Sequence, residues 1–254
     1  QLQAAMGQPE PDLQAVARVA GSDVAMAATL LRNANGPLNA VGPPLQTVGQ
    51  AMNRLGVDQT VAVLTGFLAR NSIPVNHPQM RGFWAESGQR AAALQYMAQQ
   101  MTGMAVDLAQ LYGLFCHVGL PVLLQSVRGY SGTLAEARAR IDRPFVDTEN
   151  ANHRTDHAVV GALVARSWHL PSPVVAAIRL HHDLASLGSA DTEPEVHTLV
   201  ASGLVADHMV RNREGLDADI DWRHHGGAAM AWLQISADDL DDWRGPLQDV
   251  LDAA

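Results

Sequence analysis

Three histidines of this chain stand where a tight turn between two helices would bring them together. His157 opens the apolar-periodic run HAVVGALVARSW, and His181-His182 close the next one, PVVAAIRLHH. The connection His169-Leu-Pro-Ser172 is short, and Pro173 suits the first turn of a helix. At 1.5 Å per residue, His157 lies about 16–18 Å before its helix end and His181 about 12–14 Å past the next start. In an antiparallel pair the two finish at nearly the same height. Imidazoles gathered in that way suit a metal or an anionic oxygen. A vicinal pair at a helix C-terminus also interacts favourably with the helix dipole and needs no other role.

Asp207 adds a carboxylate. On EVHTLVASGLVADHMV, a 100° step places it between Val196, Val200, Gly203 and Leu204, inside the apolar arc, with His197 and His208 at the edge. A carboxylate aimed at a core needs hydrogen-bond donors, a cation or a metal. Capping a neighbouring helix or pairing with His or Arg would satisfy it as well as a ligand role. The stretch GLFCHVG, residues 113–119, holds the single cysteine, Cys116, beside His117. Cys116 falls one turn after Tyr112 on the apolar side and reads as a small buried hydrophobe. Adjacent helical side chains point about 100° apart, so Cys116 and His117 do not form a catalytic pair. His224-His225 lies in a polar stretch, with nothing to place it near the other histidines.

The elements that must position these groups read as helices throughout. Ser22 can cap VAMAATLLRNAN, which stops at Asn35-Gly36-Pro37; Thr47 can cap VGQAMNRL, ended by Gly56; Asp58 can open QTVAVLTGFLAR. Further helices are expected over 79–101, 105–117, 156–168, 173–182, 194–212 and 237–252. The last starts with a capping-box-like Ser236-Ala-Asp-Asp239. Irregular stretches are expected over 129–149, with one short helix near Leu134–Arg140, and over 214–227. The seam falls at NSIPVNHP. The expected organisation is an N-terminal helical subdomain (1–75), a helical core (76–212), and a polar loop with a C-terminal helix packing on it (213–254).

Composition narrows the chemistry. The 254 residues carry a formal net charge of −9, and all 17 basic residues are arginine. Without lysine there is neither a P-loop lysine nor a Schiff-base lysine. An acidic chain with dispersed arginines is a poor nucleic-acid binder. One cysteine excludes an intrachain disulfide, which fits a cytoplasmic protein. No run reaches the roughly 18 apolar residues of a membrane span. QLQAAMGQPEPD has no signal-peptide pattern, and without an initiator Met the chain reads as a trimmed or partial sequence.

Seven segments in order resemble the HDOD domains, relatives of the HD metal-dependent phosphohydrolases. TLLRNANGPLN resembles the family's Leu-Leu-Arg-x-x-Asn-Ser segment, with Gly36 in place of the Ser. TVGQAMNRLG, FWAESGQRAA, GLFCHVG, HAVVGALVARSWHLP, AIRLHH and VASGLVAD follow in the family's order. The resemblance implies an all-α fold, an HD-like helical core with an N-terminal helical bundle. It also places the metal-site positions of the HD enzymes: Glu86 at the first His, Cys116 and His117 at the His-Asp pair, then His157, His181, His182 and the final acid, Asp207. The pair's Asp, which anchors hard divalent cations, is replaced by neutral His117. Glu86 has Arg90 four residues on, the favourable direction for a helical ion pair.

The implied reading is a vestigial pocket with no catalytic residue, no metal and no cofactor. The domain would be a non-catalytic module of bacterial signal transduction that binds a protein partner, or a nucleotide or anion. The alternative is a metal-dependent phosphohydrolase acting on a nucleotide or cyclic dinucleotide. Neither nucleic acid nor membrane is expected as a partner.

Overall fold

The computed structural model describes Met6 and residues 13–73, 75–216 and 219–252, and among these every regular element is helical. The chain divides into two compact units, which meet in sequence between Ile73 and Pro74.

The first unit is built from α1 (Leu13–Ser22), α2 (Val24–Asn35) and α3 (Val48–Ser72). Asp23, rather than Ser22, caps α2: its side chain accepts from the backbone N–H of Ala25 and Met26. Ser22 instead bonds back to the Val19 carbonyl in the last turn of α1. Thr47 and Gln50 form a reciprocal capping box at the start of α3. Gly56 breaks α3 as the sequence expects: it takes the non-helical φ 75°, ψ −179°, and two helical stretches meet there at a kink. Val16, Leu30, Ala34, Met52 and Leu64 form the buried seam. The Asn35 side chain holds the following loop by exchanging two hydrogen bonds with the Leu45 backbone.

The second unit holds α4 (Phe83–Gln100), α5 (Val106–Phe115), α6 (Gly119–Ser126), α7 (Tyr130–Ala139), α8 (Phe145–His153), α9 (His157–Ser167), α10 (Ser172–Leu180), α11 (Pro194–Arg213), α12 (Ile220–Leu233) and α13 (Ala237–Asp252). Helices α4, α5, α10 and α11 pack in a closed cycle, each against the next, while α9 lies on α10 and α6. α12 covers α11, and α13 covers α4.

Three helices fall where irregular chain or no separate helix is expected: α6, α8 and α12. Eight- and nine-residue helices are marginal by themselves and form because the fold buries particular residues, here Leu120 and Leu123 of α6 and Thr148 and Glu149 of α8. α12 starts inside the acidic stretch because Asp219 caps it, accepting from Trp222 N–H. The expected Ser236/Asp239 box is present, with Asp239 N–H donating to Ser236 Oγ and Ser236 N–H to Asp239 Oδ2.

Residues 106–126 are the one described segment long and apolar enough to cross a membrane. It is two helices, broken by a turn at 116–118 and largely buried among the others. Two glycines set its position. A Cβ on Gly113 would lie 2.7 Å from Ala91 Cα of α4, and one on Gly119 would lie 2.1 Å from the His157 carbonyl oxygen. Both contacts are too close for any side chain, so GLFCHVG is pinned against α4 at one end and α9 at the other.

Candidate functional site

Four imidazoles converge in the second unit. His117 comes from the α5–α6 turn, His157 from the first residue of α9, and His181 and His182 from the end of α10. One ligand nitrogen from each lies within 4.8 Å of all the others. The Nε2 of His157 is 3.1 Å from that of His181 and 3.3 Å from that of His182. The His117 ring lies 5.1 Å from the ring of His181 and 5.4 Å from that of His157, centre to centre.

The local sequence explains each placement. Asp156 caps α9 by accepting from Val159 N–H, which fixes His157 on the first helical turn. His181 follows the last α10 residue, and its Nδ1–H donates to the Ile178 carbonyl at 2.7 Å. His117 is carried over His157 by the close approach at Gly119.

Behind the imidazoles stands a layer that the sequence alone does not reveal. Glu149 is fully buried; it accepts from His157 Nδ1–H at 2.7 Å, from His157 backbone N–H at 3.2 Å, and from the Tyr130 hydroxyl. Asp221 accepts from His182 Nδ1–H at 2.7 Å. Both acids lie in stretches expected to be irregular. The only sequence signal for Glu149 is its position eight residues before His157, on a helix with no apolar period.

Electrostatics disfavour the charged form of His117, His157 and His181. Burial, then the Arg90 charge and the neighbouring imidazoles, hold His117 well below the usual histidine range. Burial, His182 and His157 do the same to His181. Burial also lowers His157, against the opposing pull of Glu149. Neutral imidazoles are ligands and hydrogen-bond partners, not anion-binding cations.

The remaining predicted residues lie elsewhere. Asp207 sits on the inner side of α11, as its phase requires, but it binds Arg90 Nε at 2.5 Å instead of facing the histidines. Arg90 therefore turns to Asp207, not to Glu86 four residues before it. Glu86 is solvent-exposed on the first turn of α4. Cys116 is buried in the core beside Tyr112, and burial pushes its thiol up to about 12. His224 is exposed on α12 and outside the cluster. Of the seven sequence-derived positions, the structure thus gathers His117, His157, His181 and His182, and leaves Glu86, Cys116 and Asp207 out of the set.

This donor set does not fit the site of the HD enzymes. Hard divalent cations need oxygen ligands, and among the described residues the cluster contains only imidazole nitrogen. It does fit a borderline metal of the zinc type, for which imidazole is a normal ligand.

An all-α fold of this plan defines the HD-like helical class. The chain belongs to the HDOD domain family, whose family model matches residues 1–184. It is similar to an uncharacterized protein of Treponema pallidum (strain Nichols), 24% identical over 186 residues, 72% of this chain and 36% of that protein. The chain therefore matches about a third of that curated relative's length. Among solved structures, it is similar to a candidate phosphohydrolase of Shewanella amazonensis SB2B, at TM-score 0.71 and 19% identity, covering 99% of this chain and 91% of that one. It is equally similar to a candidate signal transduction protein of Marinobacter aquaeolei VT8, at TM-score 0.71 and 19% identity, covering 99% and 56%.

Proposed function

We propose that this HDOD domain is a non-catalytic module of bacterial signal transduction, working in the cytoplasm by binding a signalling protein. The observation that carries the reading is the Arg90–Asp207 ion pair. Asp207 is the acid that the HD enzymes spend on metal, and here a guanidinium already neutralises it. With His117 at the anchoring Asp position and Glu86 in solvent, no carboxylate ligand reaches the cluster among the described residues. Metal-assisted hydrolysis needs a metal with an open position for an activated water, and carboxylate oxygens are what hold hard cations in such sites. The similarity to a candidate signal transduction protein agrees in fold.

The second reading, a phosphohydrolase acting on a nucleotide or cyclic dinucleotide, draws on the convergence of the four histidines. The two separate in one assay. The purified chain is incubated with bis-p-nitrophenyl phosphate, nucleotides and cyclic dinucleotides in the presence of Mn, Mg, Ni or Zn. No turnover is expected; metal-dependent turnover abolished by His157→Ala would sink the signalling reading. Calorimetric titration with the same nucleotides decides the kind of partner. No heat is expected, whereas saturable binding would make a nucleotide the ligand in place of a protein.

A further inference from the structure

The tautomers of three cluster histidines are fixed from behind. Nδ1 of His157 faces the Glu149 carboxylate, that of His181 the Ile178 carbonyl, and that of His182 the Asp221 carboxylate, each at 2.7 Å. These oxygens accept, so Nδ1 carries the proton in each ring and Nε2 is left with a bare lone pair. The bare Nε2 atoms face one another at 3.1 and 3.3 Å from His157. Lone pairs aimed at one point without a proton between them repel, and a cation at that point turns the repulsion into bonds. Metal–imidazole bonds of about 2.0–2.1 Å give a tetrahedron with edges of about 3.3–3.4 Å, close to both separations. His117 has a ligand nitrogen within 4.8 Å of those of the other three, within reach of a fourth corner.

The surrounding charge agrees. Glu149 and Asp221 put two carboxylates one imidazole away, the arrangement that orients metal-bound histidines and raises their basicity. Two negative charges balance a divalent ion, and Asp207 compensates Arg90 nearby.

The geometry points to a closed site on His117, His157, His181 and His182 for one late first-row divalent metal, zinc being the best match. Four protein ligands complete a tetrahedron and leave no position for a reacting water, as in structural zinc sites. The metal would clasp the α5–α6 turn, the start of α9 and the end of α10. It would therefore set the stability of the second unit according to metal supply. The site goes beyond the signalling reading and fails separately from it: hydrolysis would overturn that reading, whereas failure to bind metal would overturn this one.

The test uses the untagged full chain, stripped with chelator and titrated with zinc chloride or cobalt chloride. One equivalent per chain is expected by elemental analysis. The cobalt form should show the intense visible bands of four-coordinate geometry, and zinc should raise the thermal midpoint, while magnesium and manganese do neither. Asp221→Asn should weaken binding about 10–100-fold through its hold on His182, and His117→Ala should weaken it further. Both side chains are partly reached by solvent, so these variants test the site even if His181→Ala does not fold. Replacing His224 and His225 together should leave binding unchanged. A chain of unaltered circular dichroism that retains no zinc or cobalt would overturn the site. Two equivalents, weak six-coordinate cobalt bands, or binding lost with His224 and His225 would overturn it too.

Discussion

Arg90 of α4 and Asp207 of the adjacent α11 meet at 2.5 Å, with only 12% and 26% of their side chains exposed. The residues are 117 positions apart, yet the pair decides what the neighbouring histidines can do. A carboxylate that could have faced the cluster is turned to a guanidinium instead.

Breaking that pair leaves a largely desolvated charge without its partner. Arg90→Met should destabilise the domain by about 2–4 kcal/mol, at the low side of buried pairs because Asp207 retains some solvent contact. Arg90→Met with Asp207→Leu should cost much less than the sum of the single changes. Urea unfolding of all four proteins measures the coupling. Additive effects would show that the two charges do not stabilise each other.

Gly119→Ala tests the approach of α6 to α9. The added carbon would fall 2.1 Å from a backbone oxygen, which cannot rotate away. A loss of about 3 kcal/mol or failure to fold is expected, at or above the upper end of ordinary overpacking. Gly132→Ala, with nothing near its Cβ, is the matched control and should fold normally.

Tyr130→Phe removes one of the donors to buried Glu149 with little change of shape. The cost should be about 1–3 kcal/mol, the range for stranding a buried acceptor. Denaturant unfolding measures it. An unchanged midpoint would mean that the remaining two donors from His157 satisfy Glu149 alone.

Cys116 should resist alkylation in the native chain at pH 8 and react fully in guanidinium chloride. It is 1% exposed, and burial lifts its thiol to about 12, so both access and thiolate are lacking. Mass spectrometry of iodoacetamide-treated protein reads both states.

His208 stacks flat on Trp222 at 3.8 Å, with a buried Nδ1 that finds no hydrogen-bond partner among the described residues. Burial lowers its pKa, with Arg244 and Arg211 acting the same way and Asp219 opposing. The unfolded chain therefore takes up this proton first as pH falls, and stability rises with pH wherever the unfolded state binds more protons. The contribution is complete above the unfolded histidine value, near 6.5, and is lost as pH drops from there towards the folded value. The stability gap between wild type and His208→Gln should shift against wild type between about pH 7 and 5. Paired unfolding curves at those pH values show it, and a constant gap would contradict the shift.

Local signals made much of the framework legible. The Thr47 cap and the Ser236-x-x-Asp239 box are legible because their partners lie one turn away. The phase of EVHTLVASGLVADHMV alone puts Asp207 on the buried side of α11. The same reasoning brings His157 and His181 level, since both distances follow from helical rise and one tight turn. Ser22 was the less informative neighbour of the true cap because two adjacent residues had capping side chains and only backbone geometry chooses between them.

Tertiary packing decided the rest. That His117 joins the cluster while Cys116 faces the core depends on the turn at 116–118 and on Gly119 meeting the α9 backbone. That Asp207 answers Arg90 and not a metal position depends on α4 lying beside α11. Glu149 and Asp221 became the supports of His157 and His182 through helices with no apolar period to announce them. Residue type and helical phase fix which side chains turn inward. Which inward groups meet, and whether a carboxylate finds a metal position or a guanidinium, is set by the packing of helices distant in sequence.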